Sequence, residues 1–299
     1  MNIMASIIIA TYRREQDLVR AIQSVLKQDY KNFELIIVDQ SEKHEIATTK
    51  FIKSIQDKKF RYYHVSPPSI PAAENFGISK AKGDIVIFID DDVELDPGFI
   101  AEHVKAYVDP LVAGVAGRVK VPGKPESKTL YHITSTGRNV GGFDYNYDSL
   151  ALSGAIGCNM SFRKSVIKKL GGFDTGYIKN AHRFETDMAY RVMAEGYKIT
   201  YKTSASLKHY HTASGGSRAN SGLFRDVESF ANEFRFFYKN LNKRKINLIG
   251  FYFIHLVYVI PHPDIRIVFR RLYYLFIGSH KARLDLKDTS IYVVSYEIC

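Results

Sequence analysis

The 299-residue sequence contains no tryptophan and only two cysteines, Cys158 and Cys299. Two distant cysteines exclude a disulfide framework and a zinc site built from several thiolates, and they favour a reducing compartment. The longest apolar run, residues 246–260, is shorter than the ~20 residues that cross a bilayer, and it contains Asn247 and His255. A buried or interfacial helix is therefore expected there, rather than a membrane span.

Glycine-rich phosphate loops are also absent. Neither a P-loop nor a G-x-G-x-x-G fingerprint occurs. The loop after the first predicted strand, residues 11–14, reads Thr-Tyr-Arg-Arg without glycine. This argues against a nucleotidyltransferase, although an enzyme that makes a nucleotide sugar stays the second enzymatic interpretation. No basic leader precedes the first apolar stretch, so a signal peptide is not expected.

Positive charge is in excess, with 42 Lys and Arg against 31 Asp and Glu, a net charge of +11. Such an excess suits nucleic acid, an anionic membrane or a phosphorylated ligand. Residues 239–288 alone hold ten basic and three acidic residues, interleaved with aromatic and aliphatic ones. A nucleic-acid-binding protein, the non-enzymatic interpretation, would instead line a groove with basic residues. The pattern therefore predicts no nucleic-acid partner. It favours contact with an anionic membrane surface, with internal packing or a homo-oligomer as alternatives.

Apolar runs alternate with segments of helical spacing along the first 98 residues. The predicted strands are 6–10, 33–38, 60–65 and 85–89, and the helices between them are 14–28, 42–55 and 71–81. Strands that are apolar on both faces and separated by helices are typical of a parallel sheet covered on both sides. Farther on, strands are predicted at 112–121, 155–162 and 198–202, with helices at 99–108, 164–170 and 185–195. Beyond about residue 221 the chain is helical, aromatic and basic.

Three consecutive aspartates, Asp90 to Asp92, directly follow the apolar run 85–89. Ligands of open α/β sheets bind beyond the carboxyl ends of the strands, and adjacent carboxylates need a cation. On an extended chain Asp90 and Asp92 point the same way, about 6.6 Å apart. Two hard oxygen ligands together with phosphate oxygens suit Mg²⁺ or Mn²⁺. A solvated acidic loop that caps the next helix is the alternative.

Three ordered segments resemble the family 2 glycosyltransferases of GT-A fold, of the bacterial surface-polysaccharide type. They are SIIIATY at 6–12, LIIVDQS at 35–41 and AENFGISKAKGD at 73–84, the last followed by the strand and the triplet. The resemblance covers roughly residues 4–220. It implies an α/β, Rossmann-like, mostly parallel sheet flanked by helices in residues 1–220. A nucleotide-binding half would reach about residue 98, an acceptor-binding half would span 99–220, and a helical C-terminal extension would span 221–299.

The same resemblance implies roles for single residues. The residues expected to contact the donor nucleotide are Thr11, Tyr12 and Arg13 near the base and ribose, Asp39 at the nucleobase and Asp84 near the ribose. Asp91, with Asp90 and Asp92, matches the D-x-D motif that holds the metal and the diphosphate. Relatives often carry Arg before the residue matching Asn75, where this chain has Glu74, so that phosphate contact is not expected here. Helix capping is the alternative role for the threonine and for the nucleobase aspartate.

Residues 184–191, FETDMAYR, resemble the E-D-x-D-x-x-x-R region that carries the family's catalytic base. The base, usually Asp, aligns with Glu185. Asp187 and Arg191 are four residues apart and can pair on one helix face, which favours an orienting role for Asp187 and leaves Glu185 as the first candidate base. A favourable acid at a helix N-terminus is the alternative for Glu185.

Two histidines and an arginine downstream complete the expected site. By resemblance, His209 would complete the metal or diphosphate site, with His211 as second choice. Arg218, beside the glycine-containing loop 214–217, would clamp the diphosphate, and an ordinary solvated arginine is the alternative. Cys158 is expected to be a small buried residue without a chemical role.

Together these features predict an inverting, metal-dependent glycosyltransferase. It would use Mn²⁺ or Mg²⁺ and would move a sugar from a nucleotide-sugar donor, expected to be UDP-linked, to a glycan or lipid-linked acceptor. The process would be cell-surface polysaccharide synthesis. The predicted location is the cytoplasm, peripheral on the inner face of the cytoplasmic membrane.

Overall fold

A computed structural model describes residues 3–212, 215–216, 226–241, 245–259 and 264–287. Its strands are β1 (Ala5–Thr11), β2 (Phe33–Asp39), β3 (Phe60–His64), β4 (Ile85–Ile89), β5 (Val93–Leu95), β6 (Val112–Lys120), β7 (His132–Ile133), β8 (Asn139–Val140), β9 (Asn159–Arg163) and β10 (Lys198–His209). Its helices are α1 (Gln16–Leu26), α2 (Ile46–Ser54), α3 (Ile70–Lys80), α4 (Phe99–Ala106), α5 (Lys164–Lys169), α6 (Phe184–Ala194), α7 (Val227–Phe236), α8 (Lys245–Val259) and α9 (Ile265–Lys287). A π-helical turn, Phe237–Leu241, follows α7 directly.

Eight of these strands form one sheet in the order β3-β2-β1-β4-β9-β6-β10-β5. The pairs β1–β2, β1–β4, β2–β3 and β6–β10 are parallel. Strand β9 runs antiparallel to β4 and β6, and β5 runs antiparallel to β10. The sheet is thus mostly parallel and flanked by helices, which confirms that part of the predicted fold class.

Hydrophobic periodicity explains the central strands. Every residue of β2 and β4 is buried, as an interior strand covered on both faces requires. On α1, Leu18, Ile22 and Val25 recur at helical spacing and are fully buried against the sheet. Each such side chain contributes roughly 1.5–3 kcal/mol when it leaves water.

Two features of the sheet differ from the prediction and place residues near the triplet. Strand β10 was expected to end at Lys202, but it continues to His209. The three-residue β5 was not predicted, and it pairs with β10 in a register that sets Val93 opposite His209. The aspartates just before β5 are therefore held against the end of β10.

The helices α7, α8 and α9 build a second hydrophobic core. Its buried members are Phe230, Phe234, Phe237, Phe251, Leu275 and Ala282. The neighbouring Phe236 belongs to the main core, so α7 forms a wall shared by both cores. Within the described ranges, no helix combines the length and the hydropathy needed to cross a bilayer.

Candidate active site

A cavity of about 680 Å³ opens at the carboxyl ends of β1 and β4, within the size range of small-molecule sites. It brings together the predicted site residues Thr11, Tyr12, Asp90, Asp91, Asp92, Glu185 and His209. Parallel strands place their carboxyl ends at one edge of a sheet, so residues far apart in sequence converge there.

The aspartate triplet is a turn rather than an extended strand. Asp91 and Asp92 form the turn that joins β4 to β5, so an extended chain does not align the outer carboxylates. His209 joins the outer two carboxylates instead. Its Nε2 lies 3.0 Å from Oδ1 of Asp92 and 3.6 Å from Oδ2 of Asp90.

Three possible metal ligands meet in this corner. The side-chain ligand atoms of Asp90, Cys158 and His209 all lie within 4.8 Å of one another. Both ring nitrogens of His209 are buried. A carboxylate oxygen, an imidazole nitrogen and a sulfur atom fit a divalent transition metal such as Mn²⁺ better than Mg²⁺, which prefers oxygen alone. The sequence prediction missed Cys158, because its partners are distant along the chain.

The charges of this corner are strongly coupled. Burial lowers the pKa of His209, but Cys158 and the carboxylates of Asp92 and Asp90 outweigh it and raise that pKa to about 11. Burial also opposes ionisation of Asp92, yet His209, Arg14 and the backbone N–H of Thr212 lower its pKa to about 2. The buried carboxylates thus require positive charge at this corner.

Arg14, not Arg13, is the arginine of the cavity. Arg14 is 5% exposed, and its guanidinium lies 3.2 Å from Asp91 and 3.5 Å from Asp92. Arg13, predicted near the nucleotide, points outward and pairs with Glu42 at 2.9 Å. Its φ of +53° turns the chain, so the two neighbouring side chains diverge. The Arg-Arg pair was the available signal, but the sequence does not tell which member faces inward.

The loop after β1 supports the triplet. Thr11 donates a hydrogen bond of 2.7 Å from Oγ1 to Oδ2 of Asp91, whose pKa burial raises to about 7 against the opposing Arg14 and Thr11. The carbonyl of Tyr12 accepts a hydrogen bond from the N–H of Gly216 at 2.8 Å. Part of the downstream glycine loop therefore lies over the cavity, whereas Arg218 lies outside the described residues.

Asp39, predicted at the nucleobase, is fully buried at the end of β2 and does not line the cavity. Its Oδ1 accepts a hydrogen bond from the N–H of Ser41 at 2.8 Å, and its Oδ2 contacts His44 and Tyr62. These bonds hold the loop after β2 in place, so the carboxylate of Asp39 supports a segment beside the cavity.

Asp84, predicted near the ribose, lies at the amino end of β4. The five residues of β4 separate it from Asp90, and the six steps of extended chain span roughly 20 Å. Its Oδ2 accepts a hydrogen bond of 2.8 Å from the N–H of Met4. The structure therefore does not bring Asp84 to the cavity, because the two ends of a strand lie at opposite edges of the sheet.

Glu185 lies in the first turn of α6 and lines the cavity. Its Oε2 is buried and has no hydrogen-bond partner among the described residues. Burial raises the pKa of this carboxyl, and the charge of Asp90 adds to the rise, while His182 and Arg183 oppose it. A carboxylate with one unpaired oxygen and a raised pKa is the state expected of a general base.

Asp187 has a different environment. It is fully buried, and it does not line the cavity. The predicted pair with Arg191 forms at 2.9 Å, but inside the protein rather than on the helix surface. Lys239 at 2.8 Å and Asn240 at 2.9 Å, both in the π-helical turn, bind the same carboxylate. This carboxylate joins α6 to the C-terminal helices, as an orienting group does.

The backbone before Glu185 is strained. Lys179, Ala181 and Arg183 have φ values of +56°, +47° and +80°. Such conformations cost about 1–3 kcal/mol each in residues other than glycine, and they cluster at functional sites. Asn232 of α7 holds the start of this segment by bonding both backbone groups of Ile178, at 3.1 and 2.9 Å.

Glu233 of α7 holds the end of the strained segment. It forms two bonds with the buried guanidinium of Arg183, at 2.9 and 3.1 Å. Its Oε1 also lies 2.7 Å from Nε2 of His182, a cavity residue. The positive charge of Arg183 and the two bonded histidines, His182 and His255, lower the pKa of Glu233 well below its usual value despite burial. The sequence analysis did not predict the ion pair of Arg183 with Glu233, because the two residues stand far apart along the chain.

Comparison with known proteins identifies related sequences. A sequence model described as Glycosyl transferase family 2 matches residues 6–171. The chain is 37% identical over 97 residues to the putative colanic acid biosynthesis glycosyl transferase WcaA of Escherichia coli, covering 32% of this chain and 35% of that protein. It is 25% identical over 215 residues to the glucosyl-dolichyl phosphate glucuronosyltransferase of Haloferax volcanii, covering 68% of each. An uncharacterized glycosyltransferase of Rickettsia felis is 39% identical over 87 residues, 29% of this chain and 14% of that protein. The chain thus matches only about a third or less of the two bacterial relatives' length.

Two solved structures share the fold. The mannosyltransferase PcManGT from Pyrobaculum calidifontis, solved with GDP-Man and Mn²⁺, gives a TM-score of 0.59 at 16% identity, covering 96% of this chain and 76% of that chain. GalNAc-T7, solved with UDP, GalNAc and Mn²⁺, gives a TM-score of 0.67 at 14% identity, covering 97% of this chain and 58% of that chain. At these identities the likeness concerns the fold alone, and it confirms the predicted GT-A architecture.

Proposed function

Because this chain belongs to glycosyl transferase family 2, we propose that it transfers a sugar from a UDP-linked donor to a glycan or lipid-linked acceptor in one inverting, metal-dependent displacement. The observation that carries the proposal is the cavity in which the unpaired carboxyl of Glu185 shares one space with the Asp90, Cys158 and His209 group. The names of the relatives support a process in polysaccharide synthesis at the cell surface. With family membership shown, the nucleotidyltransferase interpretation has no remaining support.

The residues of the cavity fit the steps of this reaction. Asp90 and His209, with Asp92 beside them, would hold Mn²⁺ or Mg²⁺, which when bound neutralises the leaving diphosphate. Glu185 takes the proton from the acceptor hydroxyl while the oxygen of that hydroxyl attacks the anomeric carbon. Tyr12 lines the same cavity, and its ring would contact the nucleotide.

Nucleotide binding is expected to depend on the metal. UDP with Mn²⁺ at a hundredfold excess over the dissociation constant should stabilise the protein by roughly 2.7 kcal/mol, measured as a rise in melting temperature. Asp90→Asn and His209→Ala should lose the Mn²⁺-dependent part of that rise. Asp84→Asn, which changes an aspartate at the opposite edge of the sheet, is the matched control and should keep it.

Outcomes of this experiment separate the parts of the proposal. If no nucleotide or nucleotide sugar stabilises the protein with either metal, the glycosyl-transfer mechanism at this cavity is refuted. If GDP stabilises and UDP does not, only the choice of nucleotide changes. Full Mn²⁺ dependence in both site variants would move the metal away from Asp90 and His209.

We further propose that the C-terminal helices attach the enzyme to an anionic membrane on the cytoplasmic side. Large apolar side chains are exposed along both helices, on α8 at Ile249, Phe253 and Val257 and on α9 at Ile265, Phe269, Tyr273, Phe276 and Leu284. Helix α9 also carries six basic residues and one acidic residue. Apolar side chains with flanking positive charge suit the surface of an anionic bilayer. Residues 221–225, 242–244, 260–263 and 288–299 of the extension lie outside the described residues.

Vesicle binding tests this attachment. The protein should co-sediment with vesicles containing phosphatidylglycerol and much less with pure phosphatidylcholine, and added salt should weaken the binding. Changing Phe253, Phe269 and Phe276 together to serine should reduce the bound fraction at least tenfold, because each buried phenyl ring contributes roughly 1.5–3 kcal/mol. Leu150→Ser, at a side chain 77% exposed outside the C-terminal helices, is the control and should not change binding.

The exposed apolar side chains of α8 and α9, called here the apolar face, could instead be covered by a second copy of the chain, and the experiment distinguishes the two. A dimer in light scattering that the triple serine variant converts to a monomer, without binding of the wild type to vesicles, would assign the face to a second copy of the chain. Equal binding of the triple variant and the wild type to anionic vesicles would remove these helices from the membrane contact.

A further inference from the structure

Glu74 is a buried carboxyl group that the proposed mechanism does not use. It lies on α3, is 6% exposed and lines the cavity. Its Oε2 is buried and has no hydrogen-bond partner among the described residues.

Two other buried glutamates of the described chain, outside the cavity, are fully paired. Glu34 accepts hydrogen bonds from Ser6 and from the N–H of Lys82, each at 2.6 Å. Glu233 is bonded to Arg183 as described above. A buried carboxyl group without a partner costs stability, since its lost hydration is not replaced. A protein typically keeps such an unpaired group where a ligand supplies the missing hydrogen-bond partner.

The position of Glu74 indicates which part of a ligand would do so. Glu74 lines the same cavity as Asp90 and Glu185. The charges of both raise the pKa of Glu74, after the larger effect of burial, as expected of neighbouring groups. In a single displacement the transferred sugar lies between the leaving diphosphate, held at Asp90, and the base, Glu185. A side chain near both groups borders the sugar rather than the nucleoside.

We propose that Glu74 determines sugar specificity by accepting, at Oε2, a hydrogen bond from a hydroxyl or ammonium group of the transferred sugar. This inference rests on the proposed function. A sugar that lacks a hydrogen-bond donor at that position would leave the carboxyl group unpaired and would bind and react poorly.

Calorimetric titration with Mn²⁺ and UDP, UDP-glucose, UDP-galactose, UDP-glucosamine, UDP-N-acetylglucosamine or UDP-glucuronic acid tests the inference. In the wild type, the preferred sugar should bind more tightly than UDP alone. Glu74→Ala should weaken binding of that nucleotide sugar about tenfold to a hundredfold and leave the affinity for UDP unchanged. Glu74→Gln keeps an acceptor oxygen. Its affinity should therefore fall only a few-fold if the sugar donates from a hydroxyl group, but as much as in the alanine variant if the sugar donates from an ammonium group.

Melting temperature gives a readout that a structural role would not produce. Both Glu74 variants should be as stable as the wild type or more stable, since they remove an unpaired buried carboxyl group. A less stable alanine variant with unchanged sugar affinity would overturn the inference, as would an equal loss of affinity for UDP and for every UDP-sugar. If the wild type binds neither these ligands nor the corresponding GDP-linked ones, the proposed function fails first, and the inference fails with it.

Discussion

Changing Glu185 to glutamine is expected to slow sugar transfer by roughly a hundredfold to ten-thousandfold, the usual contribution of a general base. Glutamine keeps the shape of the side chain but cannot take the proton of the acceptor hydroxyl. Because the variant leaves Asp90, His209 and the nucleotide loop intact, the affinity for UDP with Mn²⁺ should change little. Release of UDP in the presence of acceptor measures the first effect, and calorimetry measures the second.

The pH dependence of the wild type provides an independent check. Burial raises the pKa of Glu185 above its ordinary value of 4.5. The base must be ionised to act, so activity should be full above this raised pKa and should fall as the pH decreases through it. The residual activity of Glu185→Gln should lack this acid limb.

Asp187→Asn is the informative comparison for the base. This carboxylate is bonded to Arg191 and to Lys239, so its replacement should lower the melting temperature more than Glu185→Gln does. Full turnover in Glu185→Gln, together with loss of turnover in a folded Asp187→Asn variant, would move the base to Asp187.

The sequence predicted the parts of this protein that depend on local pattern. The strand 85–89 matches β4 at both ends, because an apolar run bounded by Gly83-Asp84 and by the aspartate triplet has clear limits. The position of the triplet at the cavity followed from the general rule that ligands bind beyond strand ends. The ordered motifs identified the family, which the sequence model confirms.

Residues that act through distant contacts were not predictable in the same way. The partners of Cys158 depend on the register of β10 and on the turn after β4, neither of which has a local sequence signal. Which arginine of the pair after β1 enters the cavity depends on one left-handed backbone conformation, at Arg13. Asp84 was assigned by resemblance alone, and the direction of β4 takes it to the other edge of the sheet.

Changing Glu233 to methionine is expected to destabilise the protein by about 3–5 kcal/mol, because it leaves the buried guanidinium of Arg183 without its charged partner. Denaturant unfolding measures this loss. Glu228→Met is the matched control on the same helix. Glu228 pairs with Lys179 at 2.9 Å, but the pair is partly exposed and should contribute about 0–1 kcal/mol.

A double variant separates stability from catalysis. Arg183→Met with Glu233→Met replaces the ion pair by apolar side chains of similar length, and such replacements often restore stability. Turnover should nevertheless stay low, because the strained segment that carries His182 and leads to Glu185 has lost its hold on α7. Recovery of both stability and full turnover would show that the pair only stabilises the fold. Recovery of stability alone would show that the C-terminal helices position the base, and would link their proposed contact with the membrane to the chemistry in the cavity.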